Sequence, residues 1–199
     1  MRQVVTTLPL LAVLSLAGCG DDDVPPPQTD LVGELAAHNG RACPHQLPVG
    51  EDPDGYGFGT EEPADERPSL LTPDAAWVCR YLARPGLGPN GDGSTFRWQR
   101  DGKPKPVAPT RLAALTEHLD ELKPADAGRI CTDDLGPRWM LVSTHDGDLT
   151  GVVVDDYGCR SIRLTDEPFE TAPGDPGQPD TVPGVLSAPA QLLADLKAA

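Results

Sequence analysis

The sequence lacks the short signatures that announce chemistry. It has no G-x-S-x-G nucleophile elbow, no Walker loop, no G-x-G-x-x-G ahead of a helix, no H-E-x-x-H and no C-x-x-C. With them go the serine-hydrolase, phosphate-loop, dinucleotide and zinc-protease readings. Basic residues are also scarce. Sixteen Lys and Arg stand against 31 Asp and Glu, for a net charge of −15. That disfavours nucleic acid, which needs a basic surface. It also disfavours peripheral binding to anionic lipid, while permitting cationic partners or divalent cations. Aromatic residues make up only 5% of the chain. The three tryptophans, Trp77, Trp98 and Trp139, all fall on segments with strand chemistry, which favours packing over a ligand platform. No apolar run reaches the about 20 residues of a spanning helix.

Proline and glycine are abundant, with 23 and 21 residues. They cluster, so the reading is a modest ordered core with extensive loops. The N-terminus has its own pattern. After Met1-Arg2-Gln3, residues 4–17 carry no charge, and Leu16-Ala17-Gly18-Cys19 follows. A run of this length suits a secretory h-region of roughly 7–15 residues. The Leu-Ala-Gly-Cys sequence at its end resembles the lipobox of bacterial lipoproteins. The resemblance implies cleavage before Cys19 and a diacylglyceryl group on that cysteine. Residues 1–18 then form a signal peptide. Residues 19–30 form a lipidated tether, with Asp21, Asp22 and Asp23 followed by extended Pro25-Pro26-Pro27. The mature charge becomes about −16, because Arg2 is lost and no acid is. The expected location is the extracytoplasmic face of the cell membrane, held through lipid.

Exclusion of Cys19 leaves Cys43, Cys79, Cys131 and Cys159. An even number in an exported chain reads as two disulfides, with three connectivities open. Local pairing favours Cys43–Cys79 and Cys131–Cys159, one in each half. In the chain-entropy model such loops stabilise by about 3–4 kcal/mol each. Zinc on Cys43 and His45 is the rival, weakened by the missing C-x-x-C.

Residues 31–199 read as a single α+β domain with loops at 44–68, 84–94 and 165–186. Asp30 can cap a short helix from Leu31 to His38, ended by Asn39-Gly40. "AAWVCRYLA" alternates as a strand over 75–83, with Trp77, Cys79 and Tyr81 on one face. A second strand spans 95–100 and closes at Asp101-Gly102. The clearest helix is 110–122, with Leu112, Leu115, Leu119 and Leu122 in one stripe, Thr110 as N-cap and Pro124 as terminator. The clearest hairpin turns at Asp146-Gly147, as a type I′ turn. Pairing His145 with Asp148 sets Leu141 opposite Val152, Met140 opposite Val153 and Trp139 opposite Val154. A third strand follows Tyr157-Gly158, over 159–164. Ser187 can cap a last helix that has Pro189 in its first turn and Leu192, Leu193 and Leu196 inward. The order supports a mostly antiparallel sheet with two main helices on one face.

The titratable residues give weak signals. His145 reads as a solvated partner of Asp148, and His118 as the edge of the helical stripe. Asp133-Asp134 and Asp155-Asp156 flank the sheet and are the carboxylate pairs that a hydrolase of dispersed acids would use. The best metal pattern is "GEDPDGYGFGTE", 50–61, which places Asp52, Asp54 and Glu61 in register with a calcium loop. It fails at the first ligand, Gly50, and carries Pro53, so an acidic solvated loop competes with it.

"WVCRYL", "CTDDLGPRWMLV" and "VVVDDYGCRSI" together resemble uncharacterised secreted and lipoprotein families of high-GC bacteria, especially actinobacteria, over roughly residues 40–165. The resemblance implies the four-cysteine pattern and no particular activity. The expectation is a monomeric, non-enzymatic envelope lipoprotein without a cofactor, binding another envelope component or a cationic partner, or serving a structural part. A calcium-binding module and an envelope hydrolase are the alternatives.

Overall fold

The computed structural model describes residues 33–50, 52, 56–86, 95–132 and 134–199. Cys19, the tether, Asp54 and Asp133 lie outside the described residues. The elements are α1 (Gly33–Ala37), β1 (Ala75–Gly86), β2 (Thr95–Pro106), α2 (Pro109–Leu119), β3 (Lys123–Pro124), β4 (Arg138–His145), β5 (Asp148–Asp155), β6 (Ile162–Thr165), β7 (Leu186–Ser187) and α3 (Ala190–Ala198). The strands form one sheet in the order β2-β1-β4-β5-β6-β7-β3, with every neighbouring pair antiparallel. The α+β reading therefore holds.

The β4–β5 hairpin has the expected register, from Trp139 opposite Val154 to His145 opposite Asp148. Asp146 and Gly147 both take positive φ, as a type I′ turn requires. The middle of β5, Val152-Val153-Val154, is buried on both faces, which makes it a central strand. One face packs Val78, Leu141, Val152, Val154 and Leu164 against the leucines of α2 and α3. The other face packs Tyr81, Trp98, Met140, Val142 and Val153 beneath α1 and the loop around Cys43. Both bridges form as expected, Cys43–Cys79 and Cys131–Cys159. Cys43 and Cys79 are each 1% exposed and belong to the second core, whereas Cys131 is exposed.

Several boundaries move. β1 runs on to Gly86, so residues 84–86 are strand rather than loop. β2 continues through Asp101-Gly102 to Pro106 by way of an irregularity opposite Val78 and Arg80, where Gly102 takes φ +86°. The added turn residues are absorbed as a bulge instead of ending the strand. The N-cap of α2 is Ala108, with Pro109 in the first turn, so Thr110 lies inside the helix. The N-cap of α3 is Pro189, because Ser187 is used by β7. In both helices proline presets the entry angle and replaces a capping hydroxyl. The two-residue strands β3 and β7 have no counterpart in the sequence pattern.

The two edges of the sheet differ in how they are closed. Residues 45–47 run along the inner part of β2, with Leu47 N–H donating to Trp98 O at 3.0 Å and Arg100 N–H to His45 O at 2.8 Å. The outer part carries Lys103-Pro104-Lys105-Pro106, and β3 at the other edge is two residues long and includes Pro124.

α1 is seated on the β4–β5 turn. Glu34 N–H donates to Gly147 O at 3.0 Å, and Leu149 N–H donates to Glu34 Oε2 at 2.8 Å. A Cβ on Gly33 would stand 2.5 Å from Gly147 O, so only glycine allows this approach. Burial raises the Glu34 carboxyl above its ordinary range, and Asp148 and Glu167 add to the rise against the pull of the Leu149 N–H. A raised carboxyl favours the fold while it is protonated and loses that contribution as pH rises through its folded value. Glu34→Gln keeps an oxygen for Leu149 and removes the charge. Melting temperatures of the variant and the wild type are expected to match near pH 4 and to separate in the variant's favour towards pH 7.

Candidate functional site

The antiparallel register that pairs β4 with β5 sets Arg138 directly opposite Asp155, at the end of the sheet away from the Asp146-Gly147 turn. β6 brings Arg163 beside the same carboxylate. Arg138 Nε donates to Asp155 Oδ1 at 2.7 Å, and Arg163 Nη1 donates to Oδ2 at 2.9 Å. All three side chains are buried, at 5%, 3% and 1% exposure for Arg138, Asp155 and Arg163. Burial opposes the charge of Arg163, but Asp155 and Glu61 outweigh it and hold the guanidinium protonated. An isolated buried charge would cost several kcal/mol, so the pairing is a condition of this placement.

The remaining guanidinium donors hold a strap, residues 56–61, over the sheet end. Arg138 Nη2 donates to Phe58 O at 2.7 Å, Arg163 Nε to Thr60 O at 2.8 Å, and Arg163 Nη2 to Glu61 Oε1 at 2.7 Å. Arg129 reaches Glu61 Oε2 at 3.7 Å. Trp98 Nε1 donates to Gly57 O at 3.1 Å, and the Arg138 guanidinium lies 4.1 Å from the centre of the Trp98 ring. Tyr157 stacks on Trp98 with ring centres 5.5 Å apart, and its hydroxyl accepts from Arg138 Nη2 at 2.9 Å. Burial drives the Tyr157 phenol well above its ordinary value, against the pull of Arg138, so it stays a neutral hydroxyl. Cation–π contact adds attraction that grows as water is excluded.

Between the strap and the Cys131–Cys159 bridge lies a cleft of about 330 Å³. Its apolar walls are Tyr56, Phe58 and Tyr157, and its polar lining includes Glu61, Thr132, Asp134 and Ser161. Asp155 also lines the cleft, buried between Arg138 and Arg163, while Glu61 and Asp134 are its exposed carboxylates. The Glu61 side chain is 54% exposed. Asp134 is exposed, accepts from the Thr132 hydroxyl and the Gly158 N–H, and is lowered in pKa by those two bonds in that order. Tyr56 of the lining is 49% exposed, and Ile130, next to Cys131 in the chain, is 98% exposed. Such a surface suits a group with an apolar stem and hydrogen-bond donors at its tip.

The residues singled out in the sequence scatter. Asp52 accepts from the Gly57 N–H, and Glu61 is engaged by two arginines instead of facing Asp52. Among the described residues no three His, Cys, Asp or Glu side chains are grouped to hold a metal ion. Asp155 has both oxygens bound to arginine, and Asp156 pairs with Lys197 Nζ at 2.6 Å, so the adjacent acids serve separate contacts. His145 Nδ1 donates to Thr72 O at 2.9 Å, and its other nitrogen faces Asp146 at 3.6 Å rather than Asp148. His118 Nε2 reaches across to Asp195 of α3 at 3.2 Å, and His38 stacks on Phe169. Trp98 is 2% exposed, and Trp77 and Trp139 are half-buried. Arg138, Arg163 and the aromatic strap escape the sequence reading, because buried arginine has no sequence signal of its own. Disulfides of this kind persist outside the reducing cytoplasm, which is consistent with an extracytoplasmic location, and no described helix is long and apolar enough to cross a membrane. No protein-family model, no curated protein and no solved structure matches the chain.

Proposed function

We propose that the protein is an envelope lipoprotein, anchored by lipid on Cys19, whose domain binds another envelope component through the cleft of Tyr56, Phe58, Tyr157, Glu61 and Asp134. Its ligand is a cationic side chain, lysine or arginine, presented by a partner protein. The observation that carries this reading is the division of charge in the cleft. Arg138 and Arg163 are buried and paired with Asp155, while Glu61, Asp134 and the ring of Tyr56 are exposed along the cleft. A cation over aromatic rings gains about 0.5–1 kcal/mol at exposed sites and more once desolvated. Binding fits the cleft better than hydrolysis does, because Asp155 is held by two guanidinium groups and the Tyr157 hydroxyl stays protonated.

Crosslinking in the native envelope tests the partner. A photoreactive residue at Ile130 is expected to capture a discrete protein, with capture reduced by Asp134→Asn. Titration with a lysine- or arginine-bearing peptide from that protein is expected to weaken about fivefold in Tyr56→Ala. Capture that is unchanged by Asp134→Asn and Tyr56→Ala together would remove the cleft from the interaction. The anchor is read separately, by radioactive fatty-acid labelling. No label on the wild type, or equal label on Cys19→Ala, would sink that part.

A further inference from the structure

The net charge hides an uneven distribution. The described residues of the β1–β2 hairpin and the first turn of α2 hold Arg80, Arg84, Arg97, Arg100, Lys103, Lys105 and Arg111 against one acid, Asp101. Asp101 is already used by Arg80, at 3.0 Å. Arg100 is tied to the Cys43 carbonyl at 2.6 Å. Arg84, Arg97, Lys103, Lys105 and Arg111 are exposed, and no ion pair or hydrogen bond joins their side chains to another described residue. Five cations without a partner among the described residues, in one region of a chain at −15, is the reverse of what its composition leads one to expect.

The arrangement on the strands sharpens this. Arg84 stands directly opposite Arg97. Like charges in that position destabilise a sheet. Val78 is likewise opposite Lys105 and faces the α2 side, and alternation along β1 puts Arg84 on that same side. The stripe from the Val78–Lys105 pair to the Arg84–Arg97 pair is about 20 Å long at the strand rise. β4 stops pairing at Tyr81, so the hairpin projects beyond the body of the sheet. The β2 edge is covered by residues 45–47 and, at Phe96, by Tyr56, while Arg84, Arg97, Lys103 and Lys105 stay exposed.

We propose that the β1–β2 hairpin is a docking surface for the anionic phospholipid headgroups of the membrane that holds Cys19. This rests on the anchored reading above for the source of the lipid. Charge complementarity selects the occupant, and reach permits it. Gly33, the first described residue, sits at the β4–β5 turn, at the opposite end of β1 from Arg84, about 30 Å away along the strand. The 14 residues from Cys19 to Gly33 span at most about 45–50 Å. The hairpin is therefore within range of the leaflet that carries the anchor. Screening removes the objection from net charge. At physiological ionic strength the Debye length is about 8 Å, so a membrane senses the residues facing it and not the acids across the domain.

The test is co-sedimentation of the full, unacylated chain with phosphatidylglycerol-containing vesicles and with neutral phosphatidylcholine vesicles. Wild type is compared with Arg84→Glu, and each protein is melted alongside. Each unit of charge near an anionic surface changes affinity by a factor of about five. Arg84→Glu moves two units, so binding to the anionic vesicles is expected to fall roughly 30-fold. Its melting temperature is expected to stay level or rise, because the new carboxylate would face Arg97 in place of a like charge. Salt should weaken the wild type and leave the variant nearly unchanged. Equal binding to both vesicle types, or wild-type binding by Arg84→Glu, would overturn the proposal. So would preference for soluble polyphosphate over vesicles, or self-association lost in Arg84→Glu without any lipid binding. Fatty-acid labelling of Cys19 is unaffected by these outcomes, so loss of the anchor and loss of the docking surface are told apart.

Discussion

Asp155→Ala is expected to lower the unfolding free energy by about 3–5 kcal/mol, the range for removing one partner of a buried ion pair. Arg138 and Arg163 each meet Asp155 with both members of the pair under a tenth exposed, and among the described residues neither has a second buried carboxylate to turn to. Glu61 helps Arg163 alone, from an exposed position. For a chain of this size each kcal/mol shifts the melting temperature by about 2–4 °C, so a fall on the order of 10–15 °C is the readout. The loss should also be visible locally. The two guanidinium groups carry the carbonyls of Phe58 and Thr60, so limited proteolysis is expected to open the chain first within 56–61. A drop of under about 1 kcal/mol would mean that water or Glu61 neutralises the arginines. Arg163→Met separates the charge from the strap. It removes a buried cation but leaves Thr60 O without a donor, so strap cleavage should increase more than stability falls.

The second large effect comes from the bridges, and it is unequal. The two close loops of similar length, with separations of 36 and 28 residues, so the entropic stabilisation is about 3–4 kcal/mol for each. Their surroundings differ. Cys43 and Cys79 lie in the core with Leu47, Tyr81 and Met140, whereas Cys131 is at the surface. Cys43→Ala with Cys79→Ala therefore adds a cavity to the lost crosslink and should cost about 4–5 kcal/mol, against about 3–4 for Cys131→Ala with Cys159→Ala. Denaturant titration of the two double variants measures this directly. Under mild reductant the surface bridge should open first. If the cleft depends on it, peptide binding should fade before the fold does.

The contrast between these predictions tracks what can be read from the chain. The bridges are legible, because the exported reading sets Cys19 apart and local pairing orders the rest. So is the β4–β5 hairpin, where Asp146-Gly147 fixes a register that apolar pairs then agree with. Legibility fails where partners are remote. β3 and β7 are two residues each and exist through the pairing of Lys123 with Ser187 and Pro124 with Leu186. No local pattern encodes that. The Arg138–Asp155–Arg163 group fails for a second reason. Arginine is a surface residue by default, and its burial here rests on Asp155 together with Thr60 and Glu61 of the strap, about a hundred residues from Arg163 in sequence. The calcium pattern misleads in the same region, because Glu61 is an acid in register whose use is set by Arg163.

The closed edges of the sheet have a consequence for life at high density. A protein held on a surface meets its own copies far more often than one free in solution, and a bare strand edge would let those copies zip together. Here residues 45–47 already occupy the inner half of β2. The alternating lysines and prolines of 103–106 supply charge and withhold N–H donors along the outer half, and Pro124 stops the short strand at the far side. On the anchored reading, neighbouring domains would crowd on the membrane without pairing through these strand edges.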